Sequence, residues 1–228
     1  MSDIEVVRHP RARRMRLSVD PASGRVRLTI PRRASERAAL RWAQEHHEWV
    51  AARRAELPRA RPFDPGERVP VHGEQFLLLW DETAPRRVQR VGETLACGGP
   101  REGFSGRVER WLRAEAKRIL EAETHVLANA NGIHVERVSI GDPRSRWGSC
   151  SSSGAIRYSW RLILAPRFVL RSTVAHEVAH RRHMNHGPDF HALERELLGD
   201  DPGEARRWLR ANGAGLHWFG RSVSDGAG

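Results

Sequence analysis

The stretch 171-RSTVAHEVAHRRHMNHGPDFH-191 holds five histidines, four of them between positions 176 and 186. His176, Glu177 and His180 form the pattern H-E-x-x-H. On an α-helix, residues four apart are separated by about 400°, so the two imidazoles project from one face, a turn apart. That spacing suits two nitrogens gripping one metal ion. It leaves Glu177 one step round the helix, where its carboxylate can take a proton from a metal-bound water. Val174, Ala175, Val178 and Ala179 give the motif the dry flanks of a buried helix. The competing reading is polar decoration on a helix, in a chain with 12 histidines.

Catalytic zinc takes three protein ligands and keeps a fourth position open for water. His186 follows His180 by six residues, inside the helix-breaking run Asn185-His186-Gly187-Pro188. A chain that turns after the second histidine can return a third imidazole to the same ion. The competitors are His183, His191 and Glu194. On a helix running from about Pro166 to the Met184–Gly187 break, His183 shares its face but lies about 10.5 Å along it from His176, an awkward rise for three ligands on one ion. His191 and Glu194 belong to the next helix and could swing in.

Outward from this stretch, the chain changes character near 98-GGPREGFSG-106. Before it, Met15, Leu17 and Val19 alternate with polar neighbours, and Val26, Leu28 and Ile30 do so again after the turn 20-DPASG-24, which reads as a hairpin. Ser35 caps a helix carrying Trp42, His46 and Trp49. The runs 69–80 and 86–97 resemble further strands beyond the Pro-rich stretch 58–70. After the cluster, Val108, Trp111, Leu112, Ile119 and Leu120 mark one long helix that Asn131-Gly132 stops. Segments 133–142 and 155–166 read as strands around the loop 143-PRSRWGSCSSSG-154. These patterns predict an α+β protein with an N-terminal β-rich accessory domain over 1–97, a catalytic domain over 104–221 and a disordered tail over 222–228.

Charge is strongly basic, 39 Lys+Arg against 28 Asp+Glu, yet Lys117 is the sole lysine. The balance points towards an anionic partner, nucleic acid or nucleotide, although the arginines look scattered along the chain and fit composition bias as well. Cys97 and Cys150 form no C-x-x-C pair, which fits a reducing compartment. Neither a signal peptide nor a membrane span is legible, so a cytoplasmic location is the expectation.

Four ordered segments carry a family resemblance: Arg144-Ser145-Arg146-Trp147-Gly148-Ser149-Cys150-Ser151, Ser159-Trp160-Arg161-Leu162, His176 to His180, and Asn185-His186 with Phe190. Together they resemble the YgjP-like zinc metallopeptidases, relatives of the SprT-type proteases, whose third zinc histidine stands in the context matched by 186-HGPDF-190. The N-terminal hairpin and the helix start at 31-PRRAS-35 fit as well. The sequence departs from the family pattern at Val178 (usually leucine), Ser159 (usually asparagine) and His191 (usually tryptophan). The resemblance implies a zincin-like catalytic domain, Zn²⁺ on His176, His180 and His186, and hydrolysis of peptide bonds with Glu177 assisting a zinc-bound water. A nucleotide or phosphoester hydrolase using the same metal is the alternative. Trp147, Gly148 and Ser149 are read either as a cleft-lining strand able to pair with a peptide, or as a structural segment in which Trp147 and Cys150 are core residues and Gly148 a turn. Arg144, Arg146 and Arg161 are candidates for an anionic group of the substrate, or partners of Asp142. Tyr158 and His183 are candidate oxyanion donors, with a structural tyrosine in a strand as the competing reading of Tyr158.

Overall fold

Residues 4–222 are described by a computed structural model, and the alternating runs become ten short strands that share an α+β chain with six helices. Two compact units divide at Arg61, the first also taking in Arg221, the second being Pro62–Gly220.

In the first unit, β2 (Arg16–Val19) and β3 (Val26–Pro31) form the expected hairpin, and β1 (Ile4–His9) adds to β3 in parallel, giving the order β1-β3-β2. Val26, Leu28 and Ile30 point inward at alternate positions, as a half-buried strand requires. Leu28 and Ile30 meet Ala39 and Ala43 of α1 (Glu36–Glu45) in a small core. Ser35 caps that helix by accepting a hydrogen bond from the Ala38 N–H. The expected single helix breaks at His46, whose ring Nδ1 lies 2.8 Å from the Trp42 carbonyl that a helical backbone would use. A separate α2 follows (His47–Ala55) and leaves Trp49 40% exposed, outside any core.

In the second unit, β4 (Arg68–Val71), β5 (Glu74–Trp80), β6 (Gln89–Val91) and β7 (Thr94–Cys97) form a sheet ordered β4-β5-β7-β6. Next comes α3 (Phe104–Ala130), which buries residues 104, 108, 112, 116, 120, 124 and 128, every fourth position. That stripe continues along its whole length, about 40 Å at 1.5 Å per residue. The second sheet consists of β8 (Arg137–Gly141), β9 (Gly148–Cys150) and β10 (Ala155–Ser159), ordered β8-β10-β9. After a 3₁₀ turn, Trp160–Leu164, come α4 (Arg167–Ala179), α5 (Pro188–Leu198) and α6 (Gly203–Leu216). One continuous core joins Val71, Phe76 and Leu95 of the first sheet to Leu112 and Leu120 of α3 and to Val174 and Val178 of α4. The glycine cluster is therefore a connection inside a shared core. The division falls instead within the Pro-rich stretch, because the strands over 68–97 bury their apolar side chains with α3. The tail expected over 222–228 lies, beyond Ser222, outside the described residues. Among the described residues no helix is long and apolar enough to cross a membrane.

Candidate metal centre

Helix α4 is almost entirely buried, with Val174, Ala175, Val178 and Ala179 all at 2% exposure or less. It ends at Ala179, so His180 is its C-cap and His183 lies in the turn beyond. The expected continuation to Met184 fails, and with it the reasoning that set His183 aside by its rise along a helix. His183 takes part through its backbone: its carbonyl lies 3.1 Å from His180 Nδ1.

The early stop lets the chain turn, and Pro188 starts α5 at its first position, where a missing N–H costs nothing. His186 is carried back to the helix. Ring nitrogens of His176, His180 and His186 lie within 4.8 Å of one another, a grouping that could hold a metal ion. The Nε2 atoms of His176 and His186 are 3.2 Å apart. Two nitrogens bound tetrahedrally to one zinc stand about 3.3–3.4 Å apart. Phe190, fully buried, touches all three rings, with centroid separations of 5.0, 4.5 and 4.7 Å to His176, His180 and His186. The C-terminal end of α4 adds partial negative charge, which favours a cation.

Each helix imidazole is held from behind. His176 Nδ1 is 2.9 Å from Glu194 Oε1, which fixes the proton on Nδ1 and turns Nε2 towards the group. The Glu194 carboxylate also takes Arg206 and His191 Nδ1. Glu194 is 1% exposed. Burial alone would raise its pKa, but the hydrogen bonds from His176, Arg206 and His191 hold it down at about 2. Of the competitors for the third ligand, Glu194 thus stands behind His176 and His191 behind Glu194, rather than among the clustered nitrogens. Burial, helped by the neighbouring histidines, lowers the pKa of His180 and of His186, keeping the rings in the neutral form that binds metals.

Glu177 is 4% exposed, and its Oε2 is buried with no hydrogen-bond partner among the described residues. Desolvation pushes its pKa up to about 7, against the pull of His176 and Arg146. Its carboxylate fits because Gly148 has no side chain: a Cβ there would lie 2.3 Å from Glu177 Oε1. Gly148 is neither a turn nor a filler. An unpartnered buried carboxylate beside three clustered imidazoles is a donor set that fits a divalent metal and its water.

Strand β9 is the edge of its sheet. Trp147 and Ser151 bond inward to Ser159 and Ala155 of the β10 side. By the antiparallel alternation, the N–H and C=O groups of Gly148 and Cys150 point away from β10, whereas those of Ser149 face Arg157. Beside this edge, a cavity of about 250 Å³ is lined by Arg146, Trp147, His176, Glu177, Arg206 and Leu209 among others. Trp147 is partly buried and packs, with its ring tilted, against His217 at a centroid separation of 5.3 Å.

Two candidates from the sequence are placed elsewhere. Tyr158 is completely buried, and its hydroxyl bonds Thr124 Oγ1 at 3.0 Å, which in turn donates to the Leu120 carbonyl. It is a core residue, and burial drives its pKa up. Arg161 makes a bidentate pair with Asp142 at 2.7 and 3.0 Å and donates to the carbonyls of Leu216 and Phe219. Its guanidinium is occupied, which removes one of the arginines that favoured a phosphate substrate. Arg144 is exposed and does not line the cavity. Phe190, Glu194 and Arg206 complete the surroundings of the three histidines. The i+4 spacing from Phe190 to Glu194 is the sequence signal that both face one way on their helix.

A family model for the YgjP-like metallopeptidase domain matches residues 13–212. No curated protein and no solved structure matches the chain.

Proposed function

The chain belongs to the YgjP-like metallopeptidase family, and from that premise we propose that it is a zincin-like, zinc-dependent peptidase acting on peptides or proteins through His176, His180, His186 and Glu177. The observation that carries this reading is the pairing of three clustered imidazoles with a buried, unpartnered Glu177 oxygen. Those histidines would hold the zinc, which when bound supplies a Lewis acid that acidifies water and polarises a carbonyl.

Every other role falls to the chain's own groups. Glu177 Oε2 accepts the proton of the attacking water and passes it to the leaving nitrogen; a pKa raised towards neutrality suits both transfers. Glu194 and the His183 carbonyl hold the rings of His176 and His180. A peptide laid along β9 would pair with the outward N–H and C=O groups of Gly148 and Cys150, as an added strand. Its side chains would meet the cavity walled by Trp147 and Leu209, with Arg146 at the exposed rim. Ser149, whose backbone groups face Arg157 of β10, does not offer them to a peptide. The first unit serves as the accessory domain. Free Cys97 and Cys150 agree with a reducing, cytoplasmic location.

The test is metal content together with turnover. Wild type should carry about one zinc per chain and cleave an unstructured protein such as casein. His186→Ala should lose the zinc, and Glu177→Gln should keep it while losing activity by about 10²–10⁴-fold. Zinc retained by His186→Ala, or full activity in Glu177→Gln, would overturn the reading.

A further inference from the structure

The basic charge of the chain is concentrated. Residues 1–61 hold 15 arginines against 7 acidic residues, a net of +8 out of +11 for the whole protein. Topology gathers it further. Because β1 and β3 run parallel with His9 opposite Pro31, and Arg16 opens β2 opposite Thr29, loop 10–15 and turn 32–35 lie at the same end of the sheet. That end carries Arg11, Arg13, Arg14, Arg16, Arg32 and Arg33, all exposed, with Arg37 on the first turn of α1. The acid at this end is Glu36, and Arg8 takes it while also donating to the carbonyls of Arg32 and Ala34. Arg8 thereby stiffens the turn that bears Arg32 and Arg33. The opposite end is mixed: it holds Asp20, Arg25 and the Arg27–Glu5 pair. Arginines that look scattered along the sequence are collected by the fold.

We propose that this end of the first unit docks the phosphate backbone of duplex nucleic acid without regard to sequence. Guanidinium groups pair phosphate oxygens in a two-pronged geometry, and three strands spread them over roughly 10 Å, enough to meet several phosphates. Among residues 9–16 and 31–37 there is no Phe, Tyr or Trp on which single-stranded bases could stack. Met15, at 37% exposure, is too small an apolar anchor for a membrane surface. The inference does not depend on the metal centre.

The experiment is fluorescence anisotropy of a labelled duplex with the full chain between 50 and 300 mM salt. If four to six phosphates are neutralised, log K should fall against log salt with a slope of roughly −4 to −5. Arg13→Glu/Arg14→Glu and Arg32→Glu/Arg33→Glu should each weaken binding at least about tenfold and flatten the slope by about two, roughly one per arginine. The milder Arg13→Gln and Arg33→Gln should flatten it by about one each, and cover the case of a double variant that fails to fold. Arg207→Glu/Arg210→Glu, exposed residues of the second unit, should change neither. No binding at 50 mM, equal losses in the Arg207/Arg210 variant, or an unchanged slope in the others would overturn the proposal. Tighter binding to polyglutamate or to phosphatidylserine vesicles than to the duplex would overturn it too, in favour of an acidic protein or a membrane.

Discussion

Substituting Gly148 by alanine isolates the Glu177 carboxylate from the rest of the centre. The added Cβ would lie 2.3 Å from Oε1 and 2.7 Å from Cγ and Cδ, where ordinary contact begins at 3.4 Å. Glu177 must therefore retreat by about 1 Å. Its side chain is flexible and its Oε2 has no partner to lose, so the retreat costs little stability. The proton it handles, however, is misplaced by a distance that typically lowers turnover about a hundredfold. That is about 2.7 kcal/mol of barrier. Turnover of a fluorogenic peptide, zinc content and melting temperature should be measured on the same preparation, with kcat down about 10² and the other two unchanged. The double variant Gly148→Ala/Glu177→Gln should be no slower than Glu177→Gln alone, since both act on one group. A kcat within threefold of wild type would refute the steric reasoning. Parallel loss of zinc would reassign Gly148 to the support of the histidines.

Three further outcomes follow from the same geometry. Glu194→Gln weakens the hold on His176 and should lower zinc affinity by about 10- to 100-fold in a chelator competition, with His176→Ala far worse. Thr124→Val strands the buried Tyr158 hydroxyl at a cost of about 1–3 kcal/mol. Melting should fall by roughly 2–4 °C for each of those kcal/mol, with peptide turnover at 25 °C intact; reduced turnover would return Tyr158 to the reaction. Asp142 is half-exposed, and although burial raises its pKa, Arg161 holds it below the ordinary 3.8. A depressed carboxyl stabilises the fold above its unfolded pKa and loses that contribution as pH falls through its folded one. The difference in urea midpoint between wild type and Asp142→Asn should therefore be full at pH 6 and narrow below about pH 3.8.

How far the sequence could be read depended on how local the physics was. The helix pair His176 and His180 follows from an i, i+4 spacing, and the return of His186 from a Gly-Pro break six residues on. The hairpin, the Ser35 cap and the stop at Asn131-Gly132 are likewise local. What escaped depends on partners far along the chain. Strand β1 pairs with β3 across 22 positions and has no clean alternation. Helix α6 holds Gly203, Gly213 and Gly215, poor helix formers, and Gly213 is there because a Cβ would meet the Trp147 ring at 2.9 Å. Tyr158 stays divided between oxyanion donor and structural strand tyrosine until Thr124, 34 positions away, accounts for its hydroxyl. The arginine-rich end of the first sheet is a product of parallel pairing, invisible in a linear tally of charge.

Helix α3 has one more implication. Its every-fourth-residue stripe is the common wall on which both sheets of the second unit lean, so a protease cutting the connection at 98–103 would break the chain without parting the pieces. Fragments ending and beginning at that nick should find each other in solution and rebuild the fold by association. A piece starting at Phe104 and produced alone would expose the surface that β4–β7 cover, and would aggregate.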